Sequence, residues 1–384
     1  MKIALVVHDI GKKRGHDRYV TELATALADR HEIHLFACTC EDIDRSRVTF
    51  HRVRAFMWPD LLKMLSFLIN ATWKLRKHRF DIIHTQGVCS LKHHITTAHF
   101  CQGRWQEVYR TLDQAHVAGI RKMYHKLVMF TMYLFERAMY RSKGTQHVIA
   151  LSQQVKDDLI HYYGRPADMT TVIHNGINID EFHPDNVHIY RDRLRAELDI
   201  ASDTFVLLFV GEFQRKGLRY VIESLKKIQG TPQVLLVAAG DAASEPYFDL
   251  AQQLGVERHV RFVGHQADIK TFYAMSDAYV FPVHYEPFGF TITEAMATGI
   301  PVVTSAHAGA AEIIRDGEDG LLISDPQDAG EIARHIQRLI DDPVLRLKLG
   351  SQGRKQVEAL DWRLFAEKVE AIYTSVVQGT KYAE

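Results

Sequence analysis

Two glutamates stand eight positions apart in the chain, with a glycine-containing turn between them. Glu286 and Glu294 enclose the run Phe-Gly-Phe-Thr at 288–291, and a helix is predicted to begin at this turn. Carboxylates accept hydrogen bonds from sugar hydroxyls, and the unpaired N–H groups of a helix N-terminus attract a phosphate. The pattern suits a ligand with a diphosphate between two sets of hydroxyls, as in a nucleotide sugar. An acidic turn before an ordinary helix is the alternative.

A basic pair follows a predicted strand in the same half of the chain. The apolar run 206–210 is followed by Gly211 and then by Arg215-Lys216. Arginine offers a planar fork for phosphate oxygens, and lysine offers a compact charge. At the end of a strand, both side chains could hold a diphosphate. A basic turn that caps a helix would have the same sequence.

The first half contributes two further candidates. The loop 9–18, which contains Gly15, joins the first predicted strand to a helix, but it lacks the Gly-x-Gly-x-x-Gly fingerprint of dinucleotide-binding proteins. His99 is predicted to end the strand 95–99, where its ring could hydrogen-bond a substrate hydroxyl. A flexible loop and a structural histidine are the alternatives.

Short apolar runs alternate with amphipathic helical stretches along the whole chain. This alternation predicts an α/β protein with parallel sheets and helices on both faces. A length of 384 residues exceeds one hydrophobic core, so we predict two doubly wound domains, 1–180 and 185–360, with a linker at 175–184. The predicted strands are 3–7, 33–37, 82–84, 95–99 and 148–151, followed by 206–210, 234–238, 260–263, 278–281 and 301–304.

Charge is divided unevenly, although the net charge is zero. Residues 1–184 contain 26 Lys and Arg against 18 Asp and Glu, whereas residues 185–384 contain 21 against 29. The basic half could face anionic lipid or an anionic acceptor, or the two halves could attract each other. The basic residues form no clear stripe, which argues against nucleic-acid binding. The 22 histidines are scattered and predict no metal site.

The stretch 103–145 is helical in pattern, basic and aromatic. It could lie at a membrane surface, or it could pack on the first sheet with its basic tips in water. No apolar run reaches the about 20 residues that span a bilayer. The first residues are better explained as a buried strand than as a signal peptide, so we expect a cytoplasmic protein, with peripheral membrane association left open.

Several segments, in order, resemble retaining glycosyltransferase family 4. They are the Glu286 to Glu294 motif, the run 298–303, the glycines from Gly309 to Gly320, and the linker-like His174-Asn175-Gly176-Ile177. The resemblance covers most of the chain and is strongest after residue 146. It implies the GT-B fold, in which two Rossmann-like domains face each other across a deep cleft. It also implies that the final helix, about 361–384, packs back on the first domain.

The resemblance assigns roles to the candidates. Glu286 would bind hydroxyls of the donor sugar, and Glu294 would bind the ribose. Arg215 and Lys216 would stabilise the departing diphosphate, although Glu212 stands where the family often has arginine. The remaining implied contacts are His99 near the transferred sugar, Gly15 near the donor, Gly264 and His265 near the base, and the backbone N–H groups of Phe288, Gly289, Phe290 and Thr291 on the sugar and diphosphate.

The function that follows from the resemblance is a retaining transfer of a hexose from a nucleoside-diphosphate sugar. We expect a uridine diphosphate sugar as donor, a glycan or glycolipid hydroxyl as acceptor, and no cofactor or metal ion. Lipopolysaccharide-core and cell-surface glycan transferases are the nearest in character. A nucleotide-sugar epimerase and a non-catalytic nucleotide-sugar-binding partner of another transferase are the alternatives.

Overall fold

The chain forms two compact units, each built on its own parallel sheet. The computed structural model describes residues 1–12, 15–112, 119–230, 233–240 and 243–379. The first unit comprises Met1–Gly176 together with the C-terminal helix that begins at Trp362, and the second comprises Ile177–Asp361. The division at Gly176 therefore falls inside the segment 175–184.

The first unit contains a seven-stranded parallel sheet in the order β5-β3-β1-β6-β7-β8-β9, and β2 pairs separately with β4. Its strands are β1 Lys2–Val6, β2 Asp9–Ile10, β3 Glu32–Ala37, β4 Thr39–Cys40, β5 Thr49–Arg52, β6 Ile82–Gln86, β7 Ile95–Ala98, β8 His147–Ala150 and β9 Thr170–Val172. Its helices are α1 Gly15–Leu27, α2 Asp60–Arg76, α3 Gln102–Thr111, α4 Gly119–Arg141 and α5 Gln153–Tyr163.

Apolar faces at helical spacing fix the helices of this unit to the sheet. Phe67, Ala71 and Leu75 of α2 are fully buried against strand residues that include Val6 and Phe36. Residues four apart lie on one face of a helix, so this spacing buries one stripe and leaves the other sides of α2 for solvent.

The C-terminal helix completes the first unit. The Tyr373 hydroxyl lies 2.6 Å from Nδ1 of His84 in β6, and Glu370 accepts from Nε2 of His31 at 2.7 Å. Trp362 packs directly on Gly176, where an added Cβ would come within 2.5 Å of the indole ring. Residues at the two ends of the unit therefore share one core.

The second unit contains six parallel strands in the order β12-β11-β10-β13-β14-β15. This is the Rossmann order: strands are added on one side of β10 as far as β12, and then on its other side from β13 onward. The strands are β10 Phe205–Val210, β11 Val234–Ala239, β12 Val260–Gly264, β13 Ala278–Phe281, β14 Val302–Ser305 and β15 Leu321–Ile323. The helices are α6 Asp185–Glu197, α7 Leu218–Leu225, α8 Glu245–Leu254, α9 Ile269–Met275, α10 Phe290–Thr298, α11 Ala329–Asp341 and α12 Pro343–Val357, and the C-terminal helix of the first unit is α13 Trp362–Gln378.

The predicted α/β class with two parallel sheets is confirmed, and each predicted strand is present with ends shifted by at most two residues. The sequence analysis missed β5, β9 and β15, and also the short pair β2 and β4. β5 is polar and partly exposed at the sheet edge, while β9 and β15 are only three residues long, which is too short for a clear strand pattern. One detail was wrong, because β7 ends at Ala98 and His99 lies just after it.

Candidate active site at two sheet edges

The carboxyl edge of the second sheet brings together three charged side chains predicted from the sequence. β10 and β13 are neighbours at the point where strand order reverses, and open α/β sheets bind ligands beyond this point. Nη1 of Arg215, in the loop after β10, lies 3.1 Å from Oε2 of Glu286, in the loop after β13. Nζ of Lys216 lies 3.6 Å from the same carboxylate oxygen. Residues about seventy positions apart thus form one ion cluster.

A close approach of the two loops makes this cluster possible. Gly217 has a φ of 80°, and an added Cβ would come within 2.3 Å of the backbone carbonyl oxygen of Pro282. Only glycine satisfies both requirements. Glu212 has a structural explanation here, because its carboxylate accepts from the backbone N–H groups of Gln214 at 3.1 Å and Arg215 at 2.7 Å. Glu212 therefore shapes the turn that presents the basic pair.

The cluster is partly buried, and its charges compensate one another. Burial alone would raise the pKa of Glu286, but the positive charges of Lys216 and Arg215 outweigh it and hold that pKa below the ordinary value. Burial lowers the pKa of Lys216, whose Nζ lies 4.8 Å from the ring centroid of Phe281. Glu286 is thus an ionised carboxylate at neutral pH, and an ionised carboxylate can only accept hydrogen bonds.

The turn between the two glutamates is held rigidly against the loop after β14. The backbone carbonyl of Glu286 accepts from the N–H of Gly309 at 2.8 Å, and that of Phe288 accepts from Ala310 at 2.7 Å. Gly289, with a φ of 105°, precedes α10, and no side chain caps the N-terminus of this helix. The N-terminus of α10 therefore offers the partial positive charge that attracts an anion.

Glu294 lies in the second turn of α10 and is almost fully buried, with 5% of its surface exposed. Its Oε2 accepts from the Tyr273 hydroxyl at 3.0 Å, and the same hydroxyl lies 3.1 Å from the carbonyl oxygen of Thr291. The sequence analysis missed Tyr273, which belongs to α9 and positions this carboxylate. Only the packing of α9 on α10 reveals it.

Gly264 is the last residue of β12 and His265 follows it, at the same edge of the sheet. Gly264 has a φ of 67°, and its carbonyl oxygen accepts from the N–H of Gly240 at 3.0 Å. Both residues are exposed. β12 and β10 are separated by β11, so Gly264 and His265 lie to one side of the charged cluster.

The first sheet brings Gly15 and His99 to its own carboxyl edge. α1 begins at Gly15, and the ring of the next residue, His16, lies 4.7 Å from that of His99 in an edge-to-face contact. Nε2 of His99 lies 2.6 Å from Oε1 of Gln86, the last residue of β6. β6 is next to β1, where strand order reverses in this sheet. The sequence analysis missed Gln86, although a polar residue at the end of a buried strand is a candidate for ligand binding.

The His99 ring is neutral, since burial lowers its pKa well below the usual value. Oε1 of Gln86 can only accept, so Nε2 carries the ring proton and Nδ1 is an acceptor. Nε2 of Gln86 is buried and has no hydrogen-bond partner within the described residues. A buried donor without a partner costs about 1–3 kcal/mol, which a ligand oxygen or a water would recover.

Among the residues that the structure describes, no group of three or more His, Cys, Asp or Glu side chains is arranged to hold a metal ion. No helix among these residues combines the length and the apolar character that a membrane span requires.

Comparison with known proteins identifies the family. Residues 190–356 match the model for group 1 glycosyl transferases, and residues 13–181 match the model for glycosyltransferase family 4. Together the two matches cover most of both units. The chain belongs to the group 1 glycosyltransferases of glycosyltransferase family 4.

Named relatives agree with this assignment. The chain is 29% identical over 335 residues to the uncharacterized glycosyltransferase MJ1607 of Methanocaldococcus jannaschii, covering 85% of this chain and 84% of that protein. It is 30% identical over 263 residues to the capsular polysaccharide biosynthesis glycosyltransferase CapM of Staphylococcus aureus, covering 66% of this chain and 67% of CapM.

Solved structures show the same fold. WaaG, a glycosyltransferase involved in lipopolysaccharide biosynthesis, matches with a TM-score of 0.80 at 21% identity over 97% of this chain and 99% of WaaG. Anabaena HepE in complex with UDP-glucose matches with a TM-score of 0.71 at 21% identity over 98% of this chain and 100% of HepE. The predicted GT-B fold, with two Rossmann-like domains, is confirmed.

Proposed function

We propose that this protein is a retaining glycosyltransferase that moves a hexose from a uridine diphosphate sugar to a hydroxyl of a glycan or glycolipid. The observation that carries the proposal is the cluster of Arg215, Lys216 and Glu286 at the reversal point of the second sheet. Two cationic side chains and the uncapped N-terminus of α10 suit a diphosphate, and the ionised Glu286 carboxylate suits hydroxyls of the same ligand.

The donor would be bound by both glutamates. Glu286 accepts from hydroxyls of the hexose, and Glu294, fixed by Tyr273, accepts from the ribose hydroxyls. Gly264 and His265 flank the base. The choice of uridine is supported by the Anabaena HepE structures, which contain UDP and UDP-glucose.

The transition state places positive charge on the hexose and negative charge on the departing diphosphate. Arg215, Lys216 and the first N–H groups of α10 stabilise that negative charge, so the proposed reaction needs no divalent cation. A phosphate oxygen of the donor takes the proton of the acceptor hydroxyl on the face from which the diphosphate leaves, which retains the configuration. Glu286 accepts a hydrogen bond from Arg215. A carboxylate held in this way suits the binding of sugar hydroxyls better than nucleophilic attack.

The first unit would contribute Gly15, His99 and Gln86 as substrate contacts. Its neutral imidazole and buried amide donor suit uncharged hydroxyls. The names of CapM and WaaG refer to capsular polysaccharide and lipopolysaccharide, which supports a cell-surface glycan or glycolipid acceptor. Peripheral association with a membrane is part of this proposal, since a lipid-linked acceptor is reached at a bilayer surface.

Titration of the purified protein with uridine, guanosine and adenosine diphosphate hexoses tests the donor site. Calorimetry and thermal unfolding, each with EDTA and with added Mg²⁺, should show one uridine diphosphate hexose that binds equally well under both conditions. Its affinity should fall in Glu294→Ala. Absence of binding by every donor would overturn the proposal.

The reaction type is tested with the donor identified in this way. Incubation with a simple alkyl glycoside or a lipid extract, followed by NMR of the product, should show the anomeric configuration of the donor. An inverted product would overturn the retaining mechanism. Release of a rearranged sugar without any acceptor would identify an epimerase, and binding without turnover would identify a non-catalytic partner.

A further inference from the structure

One segment of the first unit carries almost all of that unit's excess positive charge. We call residues 45–79, which include β5, α2 and the loop between them, the β5–α2 surface. It contains nine Lys and Arg but a single acidic residue, Asp60. Arg52 and Arg54 form no ion pair with any carboxylate that the structure describes. The nine cations are Arg45, Arg47, Arg52, Arg54, Lys63, Lys74, Arg76, Lys77 and Arg79.

The same segment exposes large apolar side chains. Phe56, Met57 and Trp58 are consecutive in the loop before α2 and are 64%, 77% and 81% exposed. Ile69 and Trp73, four residues apart on α2, are also exposed, on the side of the helix away from the core. A contiguous group of exposed aromatic and aliphatic side chains marks an interaction surface.

A pocket of about 440 Å³ opens between β5 and α2. Arg52, the last residue of β5, and Arg54, two positions further along the chain, line it together with Trp73. Asn70 Nδ2 donates to the carbonyl of Arg54 at 2.8 Å, and Lys74 Nζ donates to that of Arg52 at 2.5 Å. These bonds fix α2 to the edge strand, so the two arginine side chains have a rigid support.

We propose that the β5–α2 surface docks this protein on an anionic lipid bilayer. Phe56, Met57 and Trp58 enter the boundary between headgroups and acyl chains, where aromatic side chains are favoured. Arg52 and Arg54 bind a lipid phosphate in the pocket, and the other cations lie against the anionic surface, which attracts them. The inference deepens the proposed function, on which it rests for the lipid-linked nature of the acceptor.

A second apolar surface provides the matched control. α4 exposes Met123, Leu127, Phe130 and Leu134 along one helix face. This α4 stripe contains no tryptophan, and none of its residues lines the pocket between β5 and α2. Its exposed side chains can therefore be replaced to remove apolar surface without touching the arginine pocket.

Sedimentation of the full-length protein with phosphatidylcholine vesicles, with and without phosphatidylglycerol, tests the inference. The unaltered protein should bind only the anionic vesicles and should be released by high salt. The double variant R52E/R54E should lose more than tenfold in vesicle affinity, and Trp58→Ser should also weaken binding. Leu127→Ser and Phe130→Ser on the α4 stripe should bind as the unaltered protein does.

Two further measurements separate this inference from the proposed function. R52E/R54E should keep its affinity for the nucleotide sugar and its thermal unfolding midpoint, since both arginines are exposed and distant in sequence from the donor site. Unchanged vesicle binding in R52E/R54E, or loss confined to the α4 variants, would overturn the inference. Equally tight binding of a soluble polyanion such as heparin, with no preference for vesicles, would show a polyanion site instead of a membrane surface.

Discussion

The two sheet edges have the same topology but different chemistry. In each sheet the strand order reverses beside the first strand, and candidate residues stand on both sides of that point. The edge of the second unit holds two cations against a carboxylate, next to an uncapped helix N-terminus. The edge of the first unit holds a neutral histidine against a glutamine amide. The same topology thus positions charged side chains in one unit and neutral polar side chains in the other.

The difference extends to the carboxyl groups. Paired cations hold the pKa of Glu286 below its ordinary value in the second unit. Glu136 of the first unit, buried without a cation beside it, has a pKa raised to about 7 by burial, although hydrogen bonds from Tyr163 and the Gln102 backbone oppose this rise. The carboxylate of Glu286 is therefore paired with cations in the proposed donor unit, whereas the buried side chains of His99 and Glu136 in the first unit are neutral or nearly so.

Replacement of Lys216 by alanine should have the largest effect. We expect turnover to fall roughly a hundredfold, the scale for losing one charge partner of a transition state. Steady-state transfer or donor hydrolysis measures this. Arg219→Ala is the control, since Arg219 is basic, lies one turn further along and pairs with Glu223. If Lys216→Ala turns over at nearly the rate of the unaltered protein, Lys216 does not stabilise the departing diphosphate.

Replacement of Glu294 by alanine should act on donor binding. A hydrogen bond to a charged group contributes about 1.5–3 kcal/mol, so affinity for the nucleotide sugar should fall roughly 10- to 100-fold. Calorimetry measures the affinity, and Glu318→Ala, at an exposed ion pair with Arg315, is the control. If donor affinity is unchanged, Glu294 does not bind the ribose.

Replacement of Gln86 by leucine should act on the neutral edge alone. Loss of the bond that orients His99 should lower turnover about tenfold and leave nucleotide-sugar affinity unchanged. Gln86→Glu should instead raise the pKa of His99, because a carboxylate next to imidazole favours the charged form, and so should shift the pH profile of turnover. A loss of donor affinity in Gln86→Leu, or identical pH profiles, would break the division between the two edges.

The last prediction concerns stability and not catalysis. Glu136 ionises in the unfolded chain near pH 4.5 but in the folded chain near pH 7, so it destabilises the fold progressively as pH rises between these values, by about 3 kcal/mol in all. Below pH 4.5 this cost is absent. Glu136→Gln should flatten this part of the stability profile in chemical unfolding between pH 5 and pH 8. Parallel profiles for the two proteins would show that Glu136 is already ionised in the fold.

Local sequence was sufficient for the longer apolar strands and for most of the candidate site residues. Apolar runs of four to six residues, such as Val206 to Val210, are typical of buried strands, and their alternation with helices favours a parallel arrangement. The motif from Glu286 to Glu294 carries its own glycine and helix start. These features depend on neighbouring residues, which a sequence shows directly.

Tertiary structure decided which residues meet. The contact of Lys216 with Glu286 depends on the approach of Gly217 to Pro282, and the partners Tyr273 and Gln86 come from other elements. The exposed apolar faces of α2 and α4 could not be predicted from the sequence either, because apolar residues at helical spacing look the same whether they face the core or water. The sequence by itself determined the elements, the family and the candidate residues. Burial and long-range contacts, which depend on how distant segments pack, decided their partners and their charge.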